Sequence, residues 1–406
     1  MTRNTGLRAF TGGLFARGFD RIVDRIDDGF DFGSVEGVLP DGSVRIVGGR
    51  GPGPAAEITI HHWNALFRLV RGGSVGWYEA WAAGEWSSPD PVLIFDLFVR
   101  NRVKLGNVGR SSGLAKYIGK IVHRLRANSR SGARRNVEFH YDLGNDFYAA
   151  WLDRSMTYSS ALFAEPISAD ESLEEAQARK IEKLLARLEL KAEDSLLEIG
   201  CGWGSLAEIA VQKHGVKYHG ITLSATQKSY TEDRLKMASE ASAALTDYRD
   251  VTGKYDAIAS VEMVEAVGQR YWPDYLATIA RCLKPGGRAA IQYIRIEDDV
   301  FDAYARGTDF IQHYIFPGGM LLSESRFRAI AHANGLEWRD QYDFGPHYAE
   351  TLKRWRTRFD AAVEQGKLPS GFDEKFISLW RYYLMYCEGG FQGGGINVAQ
   401  VTLVKQ

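Results

Sequence analysis

The chain has 406 residues, 45% of them apolar and 25% charged, a composition typical of a soluble globular protein with two or three domains. Its 50 Lys and Arg nearly balance its 51 Asp and Glu, giving a net charge of -1, which argues against a surface that is basic throughout and binds nucleic acid. No stretch is apolar enough to span a membrane, charges replace the apolar run of a signal peptide, and three scattered cysteines indicate neither a disulfide framework nor a zinc site.

The first hundred residues mix short patterns and carry no catalytic motif. Strands are predicted at 43–47 and 56–61, after a segment rich in Gly and Asp. Between Asn101 and Arg135 there are ten Lys or Arg residues and no Asp or Glu. We therefore place a domain boundary in this region, near residue 125, and expect domains at 1–125 and 126–406.

The basic segment also has helical periodicity. Apolar residues recur there at helical spacing from Leu114 to Leu125, while Lys116, Lys120 and Arg124 fall on another side. This pattern predicts a basic amphipathic helix. Such a helix can lie on anionic lipid, or it can pack on a domain with its charges in solvent, and the sequence leaves both interpretations open.

Strand and helix patterns alternate from Leu185 onward, which predicts a parallel α/β sheet with helices on both faces. One of its strands ends in Glu198-Ile-Gly-Cys-Gly-Trp-Gly204. This is the E-x-G-x-G-x-G pattern of class I S-adenosylmethionine methyltransferases. The dinucleotide fingerprint requires glycine at 205, where Ser205 stands, so a nicotinamide enzyme is the disfavoured alternative.

Two later turns can complete a nucleoside site. Thr222 and Gln227 supply a hydroxyl and an amide after the next strand, where a ribose would lie. Asp247 and Tyr248 follow the third strand, placed for an adenine edge and face.

Several further segments appear in a characteristic order, and with them the chain resembles the cyclopropane-fatty-acyl-phospholipid synthases and the related mycolic acid cyclopropane synthases. These segments are 140–146 (HYDLGND), 156–163 (MTYSSALF), 264–268 (VEAVG), 314–319 (YIFPGG) and 347–348 (HY), beside the glycine loop. The resemblance covers the chain from about residue 136 to 404. It implies a class I methyltransferase, Rossmann-like α/β sheet with a smaller amino-terminal lipid-binding domain.

The resemblance also implies a cofactor and an activity. S-adenosylmethionine would be bound, and a cis double bond of an unsaturated phospholipid acyl chain would be methylated. The cofactor-binding residues implied are Tyr158, Ser159, Gly200, Cys201, Gly202, Thr222, Leu223, Gln227, Asp247 and Tyr248.

In that family a bicarbonate ion serves as the base, held by a Cys backbone, a Glu, a His and a Tyr. Glu265 and Tyr348 match the Glu and the Tyr, whereas Ser160 replaces the Cys and Gln292 replaces the His. We expect these four residues to be catalytic. Because a Gln amide takes no proton, either bicarbonate binds with fewer charges or the base differs.

The reaction constrains the site further. Methyl transfer to an alkene leaves a carbocation, which aromatic faces can stabilise. Many of the 20 Phe, 19 Tyr and 10 Trp lie between Tyr342 and Phe391, although core packing explains them equally well. A glutamate beside a bound anion should have a raised pKa, and we expect this of Glu265.

The default product is a cyclopropane acyl chain, because it is the commonest product of the family. The alternative is a methylene- or methyl-branched chain, including a methylated precursor of furan fatty acids. A branched product would call for a partner reductase or oxidase. A second hypothesis, which is not an enzyme, is a lipid-binding protein that has lost catalysis.

The expected location is the cytoplasm, with peripheral association at the inner face of the membrane. The expected partner is an anionic phospholipid surface, with no nucleic acid and no metal. A homodimer is a further possibility.

Overall fold

The computed structural model describes residues 20–106 and 143–406. The predicted basic helix with Lys116, Lys120 and Arg124 and the boundary near residue 125 lie outside these ranges. Within them, no helix has the length and apolarity needed to cross a bilayer.

The amino-terminal region forms a sheet of its own, with strand order β2-β1-β3-β4. The strands are β1 (Ser34–Val38), β2 (Val44–Gly48), β3 (Ala55–Ile60) and β4 (Trp86–Ser87). The helices are α1 (20–28), α2 (Asn64–Ala82), α3 (Pro91–Arg100) and α4 (Arg102–Leu105). The two predicted strands are confirmed as β2 and β3, whereas the sequence analysis missed β1, which pairs with both of them.

The second region contains a larger sheet with strand order β11-β12-β9-β8-β5-β6-β7, and β10 pairs with β9. Its strands are β5 (Ser195–Ile199), β6 (Lys217–Thr222), β7 (Ala241–Leu245), β8 (Tyr255–Val261), β9 (Leu283–Ile296), β10 (Leu322–Ser323), β11 (Leu336–Asp343) and β12 (Ile396–Lys405). Strand β5 is parallel to both β6 and β8. Chain connections leave β5 in opposite directions here, and a crevice for ligands forms at such a point.

Helices cover the faces of this sheet, which confirms the predicted α/β class. They are α5 (Asn145–Ala149), α6 (Leu173–Ala186), α7 (Ser205–His214), α8 (Ala225–Arg234), α9 (Trp272–Cys282), α10 (Asp298–Ala305), α11 (Glu324–Ala333), α12 (Gly345–Glu364) and α13 (Glu374–Gln392). Short 3₁₀ turns occur at Tyr248–Asp250, Val264–Ala266 and Gln269–Tyr271, and a π-helical turn at Ile311–Ile315.

The two regions share one hydrophobic core. A single cluster of buried side chains includes Phe30 and Phe95 from the first region and Trp151 and Trp380 from the second. Helix α13 packs directly against α3. The amino-terminal region therefore forms a wall of the larger unit, close to the residues expected to act on substrate.

Candidate active site

The glycine loop lies between β5 and α7, at the carboxyl edge of the sheet. Gly200, Gly202 and Gly204 all have positive φ angles, of 88°, 52° and 82°. A Cβ atom at Gly200 would lie 2.8 Å from Met263 Cγ, whereas one at Gly202 would meet nothing within 4 Å. The Gly202 backbone thus borders open space, as a loop that closely approaches a ligand requires.

The next two turns complete this edge. After β6, Thr222 Oγ1 donates to Gln227 Oε1 over 2.8 Å, so the amide is held in place. After β7, the Asp247 carboxylate accepts two hydrogen bonds from the Arg249 guanidinium and one from the Arg249 amide. The Tyr248 hydroxyl is buried and has no hydrogen-bond partner among the described residues. The open backbone at Gly202 and the ordered amide of Gln227 lie at one edge of the sheet and fit a nucleoside ligand.

The predicted residues Cys201 and Leu223 belong to the same two turns. The Cys201 side chain is buried and its amide donates to the Ile221 carbonyl over 3.0 Å. Leu223 follows β6 directly and is half-buried. The Cys201 thiol therefore packs in the hydrophobic core, and burial raises its pKa.

Tyr158 reaches the glycine loop through aromatic contacts, whereas Ser159 bonds to helix α6 through Gln177 and Lys180. The Tyr158 ring packs on Tyr148, which in turn packs on Trp203 with ring centroids 5.0 Å apart. The hydroxyls of Tyr158 and Tyr383 are 2.8 Å apart. These contacts place Tyr158 between the glycine loop and helix α13.

Lys180 is a buried cation that the sequence analysis missed. Its Nζ donates to Ser159 Oγ over 2.6 Å. Burial lowers its pKa to about 8, although the charges of Glu262, Asp153 and Glu198 oppose this shift. No sequence signal sets it apart, because it lies in helix α6 among many other charged residues.

Three of the four predicted catalytic residues converge on a further residue, Glu262. Its Oε1 accepts from the Ser160 amide over 2.9 Å and from Gln292 Nε2 over 2.7 Å. Its Oε2 accepts from the Tyr348 hydroxyl over 2.7 Å. Three of the four residues expected to surround a base thus donate to one carboxylate.

Glu265 was predicted from the sequence and Glu262 was not, although both lie in the same short segment after β8 and both line the same cavity. Glu265 Oε1 instead accepts from the Ile294 amide. Its Oε2 has no hydrogen-bond partner among the described residues. The sequence does contain a signal for Glu262. Two acids stand three residues apart in this segment, and Gln292 replaces the His that the family resemblance implies for the same site.

Burial raises the pKa of both carboxyls. For Glu265 the pKa rises to about 8, through burial first and the neighbouring Glu262 charge second. The raised pKa expected for Glu265 from the sequence is thus confirmed. The neighbouring negative charge is that of Glu262, whereas the sequence had suggested a bound anion. For Glu262 burial is again the largest cause, and the hydrogen bond from Tyr348 opposes it.

A cavity of about 1180 Å³ opens onto these carboxyls, larger than the roughly 300–1,000 Å³ typical of small-molecule sites. Tyr158, Glu262, Glu265 and Tyr348 line it. Leu69, Phe95 and Leu105 of the amino-terminal region also line it, together with the aromatic side chains of Tyr383, Tyr386 and Phe391. The aromatic residues between Tyr342 and Phe391 therefore have two roles. Some line the cavity, whereas Trp380 packs on Phe147 and Phe376.

The sequence of this chain is similar to those of known proteins. The profile of the family described as mycolic acid cyclopropane synthetase matches residues 128–401. The chain is 40% identical over 365 residues to the tuberculostearic acid methyltransferase UfaA1 of Mycobacterium tuberculosis, covering 87% of this chain and 84% of that protein. It is 30% identical over 352 residues to the cyclopropane-fatty-acyl-phospholipid synthase of Escherichia coli strain K12, covering 86% and 88%.

Among solved structures, the mycolic acid cyclopropane synthase CmaA1 complexed with SAH and CTAB matches with a TM-score of 0.62 and 31% identity. The match covers 67% of this chain and 98% of that one. A coclaurine N-methyltransferase at 18% identity and a TM-score of 0.55 shares the fold alone.

Proposed function

This chain belongs to the mycolic acid cyclopropane synthetase family, and we propose that it methylates the cis double bond of an unsaturated phospholipid acyl chain. It is an S-adenosylmethionine-dependent methyltransferase. The observation that supports this substrate is the cavity. Tyr158 and the two carboxyls line one part of it, and apolar side chains of the amino-terminal region line another. A long apolar chain can follow this wall to the reacting groups.

The charges around the cavity suit the anionic headgroup of a phospholipid. Arg21, Arg25, Arg102 and Arg306 all line it, and the Arg102 Nε atom is buried without a hydrogen-bond partner among the described residues. Guanidinium groups suit phosphate oxygens because their donors form a planar fork. We propose that these arginines hold the phosphate of the headgroup.

The residues of the site suit the chemistry. S-adenosylmethionine, when bound, supplies an electrophilic methyl group. The electron pair of the alkene would form the new C–CH₃ bond while the S–CH₃ bond breaks with its electron pair left on sulfur, and a cation would remain on the acyl chain. The faces of Tyr348, Tyr383 and Phe391 can stabilise that cation, by about 2 kcal/mol where water is excluded. A base must then remove a proton from the new methyl group.

We propose a methylene-branched chain as the product, in place of the cyclopropane expected by default. The altered base site supports this choice, because Gln292 and Glu262 depart from the layout that the family resemblance implied. The relative at 40% identity is named a tuberculostearic acid methyltransferase, whereas the relative named a cyclopropane synthase is 30% identical. A methyl-branched chain would require a partner reductase to supply hydride to the methylene.

The test is turnover with defined lipid. Purified protein is incubated with S-adenosylmethionine and liposomes of a cis-monounsaturated phospholipid, and the released fatty acids are examined by proton NMR. Vinylic methylene signals are expected. Upfield ring protons would replace the proposed product with a cyclopropane, and the absence of any methylated chain, with S-adenosylhomocysteine bound tightly, would support a lipid-binding protein without catalysis.

An arginine variant tests the headgroup. Arg102→Gln should raise KM for phospholipid about tenfold and leave kcat largely unchanged, because its phosphate contact forms equally in the ground and transition states. Lys236→Gln, at an exposed lysine paired with Asp233, is the matched control. An equal KM in both variants would remove the phosphate assignment.

A further inference from the structure

We propose that Glu262 is the general base of this enzyme and that its carboxylate occupies the position for which a separate bicarbonate anion was expected. This inference rests on the proposed function, since the proton it would remove is on the transferred methyl group. It is carried by three short hydrogen bonds to one carboxylate that faces the cavity.

The three donors form a cradle for an anion. The Ser160 amide, the Gln292 amide and the Tyr348 hydroxyl all lie within 2.9 Å of a Glu262 oxygen. Ser160 and Gln292 are fully buried, so neither donor has water as an alternative partner. Because Glu262 accepts from all three, the chain itself already fills this cradle with a carboxylate.

The orientation of Gln292 is fixed by a chain of hydrogen bonds. Arg187 Nε donates to Gln400 Oε1 over 3.2 Å, and Gln400 Nε2 donates to Gln292 Oε1 over 3.1 Å. Because the Gln292 oxygen is occupied, its Nε2 points toward Glu262. An amide locked in this way is a permanent donor that never competes with the carboxylate for a proton.

The Glu262 backbone is held in an unfavourable conformation. Its φ angle is 48°, in the left-handed region that non-glycine residues rarely adopt. The Glu262 amide donates to the Gln292 carbonyl over 2.8 Å. This hydrogen bond holds Glu262 beside β9. Strain of this kind persists where the surrounding structure demands it, and functional sites are a common place for it.

Position and basicity both suit proton removal. Glu262 and Tyr158 line the same cavity, so the carboxylate faces the space where the methylated carbon would lie. Burial raises the pKa of Glu262, which makes its ionised form a stronger base than an exposed glutamate. A hydride first moves from the methylated carbon to the neighbouring cationic carbon, so that the cation lies on the carbon that bears the new methyl group. The methyl C–H bond then breaks, its electron pair forms the C=C bond of the methylene group and quenches the cation, and the proton passes to Glu262 and then to water.

The experiment compares Glu262→Gln with Glu262→Ala, with and without bicarbonate. In buffer freed of carbon dioxide, the wild type should retain full turnover and Glu262→Gln should lose at least about a hundredfold in kcat. Glu262→Ala empties the cradle, and added bicarbonate or formate should restore part of its activity. Unchanged affinity for S-adenosylhomocysteine would show that both variants are folded.

Anion binding gives a readout that does not depend on turnover. Carbon-13 bicarbonate should bind to Glu262→Ala and not to the wild type, as measured by NMR line broadening. Wild-type protein that binds bicarbonate, or that requires it for turnover, would overturn the assignment. If no lipid is methylated by any form, the proposed function fails, and the anion-binding result still decides whether Glu262 fills the cradle.

Discussion

At the scale of single residues, the active site depends on two carboxyls that differ in their partners. Glu262 accepts three hydrogen bonds, whereas Glu265 accepts from one backbone amide. The pKa of both is raised by burial, but Glu262 has donors that stabilise its charge and Glu265 has few. In such a pair the better-solvated carboxyl ionises first, and the other keeps its proton to a higher pH.

This difference predicts how Glu265 affects stability. The pKa of Glu265 rises from the usual 4.5 to about 8, so its contribution to stability is fully present below pH 4.5 and is lost as pH rises toward 8. Glu265→Gln removes this dependence. The melting temperature of Glu265→Gln minus that of the wild type should increase from pH 4.5 to 8 and then level off. A difference that stays constant with pH would contradict the prediction.

A second prediction concerns Gly202 in the cofactor loop. Gly202→Ala should weaken binding of S-adenosylhomocysteine at least about tenfold, because the added Cβ would enter the open space beside the loop. The strained φ angle also costs about 1–2 kcal/mol of stability. Calorimetric titration measures the affinity.

The matched control for Gly202 is Gly215, at the end of α7. Its φ angle of 63° is also positive, and a Cβ there meets only Ala192 Cβ, at 3.8 Å. Gly215→Ala should lose similar stability and keep full affinity. If both variants bind equally well, the Gly202 backbone does not face the cofactor.

At the scale of elements, the contact between α3 and α13 joins the two regions. A Cβ at Gly389 would lie 2.5 Å from Phe95 Cβ and 2.7 Å from the Val92 carbonyl oxygen. These two helices therefore approach so closely that only glycine fits between them. The amino-terminal wall of the cavity depends on this approach, because Phe95 lines the cavity.

This packing predicts different effects at two adjacent glycines. Gly389→Ala should lower the free energy of unfolding by about 1–3 kcal/mol through overpacking and also raise KM for lipid. At Gly390 the nearest atom to an added Cβ is Ile396 Cδ1, at 3.2 Å, and that side chain can move. Gly390→Ala should be nearly neutral, since alanine favours helix. Urea unfolding measures both, and equal midpoints would contradict this account.

At the scale of the whole molecule, the proposed site must reach a lipid surface. Several exposed large apolar side chains belong to the amino-terminal region, including Val44, Ile46 and Phe67. Arginines of the same region line the cavity. Together with the basic segment from Asn101 to Arg135, these features support the proposal that this region lies on anionic phospholipid.

The basic segment gives the fourth prediction. Replacing Lys116, Lys120 and Arg124 together by Glu should weaken binding to anionic liposomes, by about 1 kcal/mol per charge removed near the surface. Affinity for S-adenosylhomocysteine should not change, and sedimentation with liposomes measures the binding. Wild-type binding by the triple variant would favour the alternative, in which this segment packs on a domain.

The sequence alone determined the class of fold and the position of the glycine loop within it. Alternating strand and helix periods report local burial, and the glycines of the loop after β5 have backbone angles that few other residues adopt. Both signals are local in the chain. Strand β1 was missed because its sequence, SVEGV, contains a glycine and a glutamate, which are depleted in strands.

Only the tertiary structure decided which carboxyl lies in the anion cradle. The donors come from residues 160, 292 and 348, far apart in the chain, and their meeting point depends on how β8, β9 and α12 pack. Sequence similarity pointed to Glu265, three residues from Glu262, and the turn after β8 directs these two side chains to different partners. A hydrogen bond depends on distance and direction in space, and spacing along the chain specifies neither one.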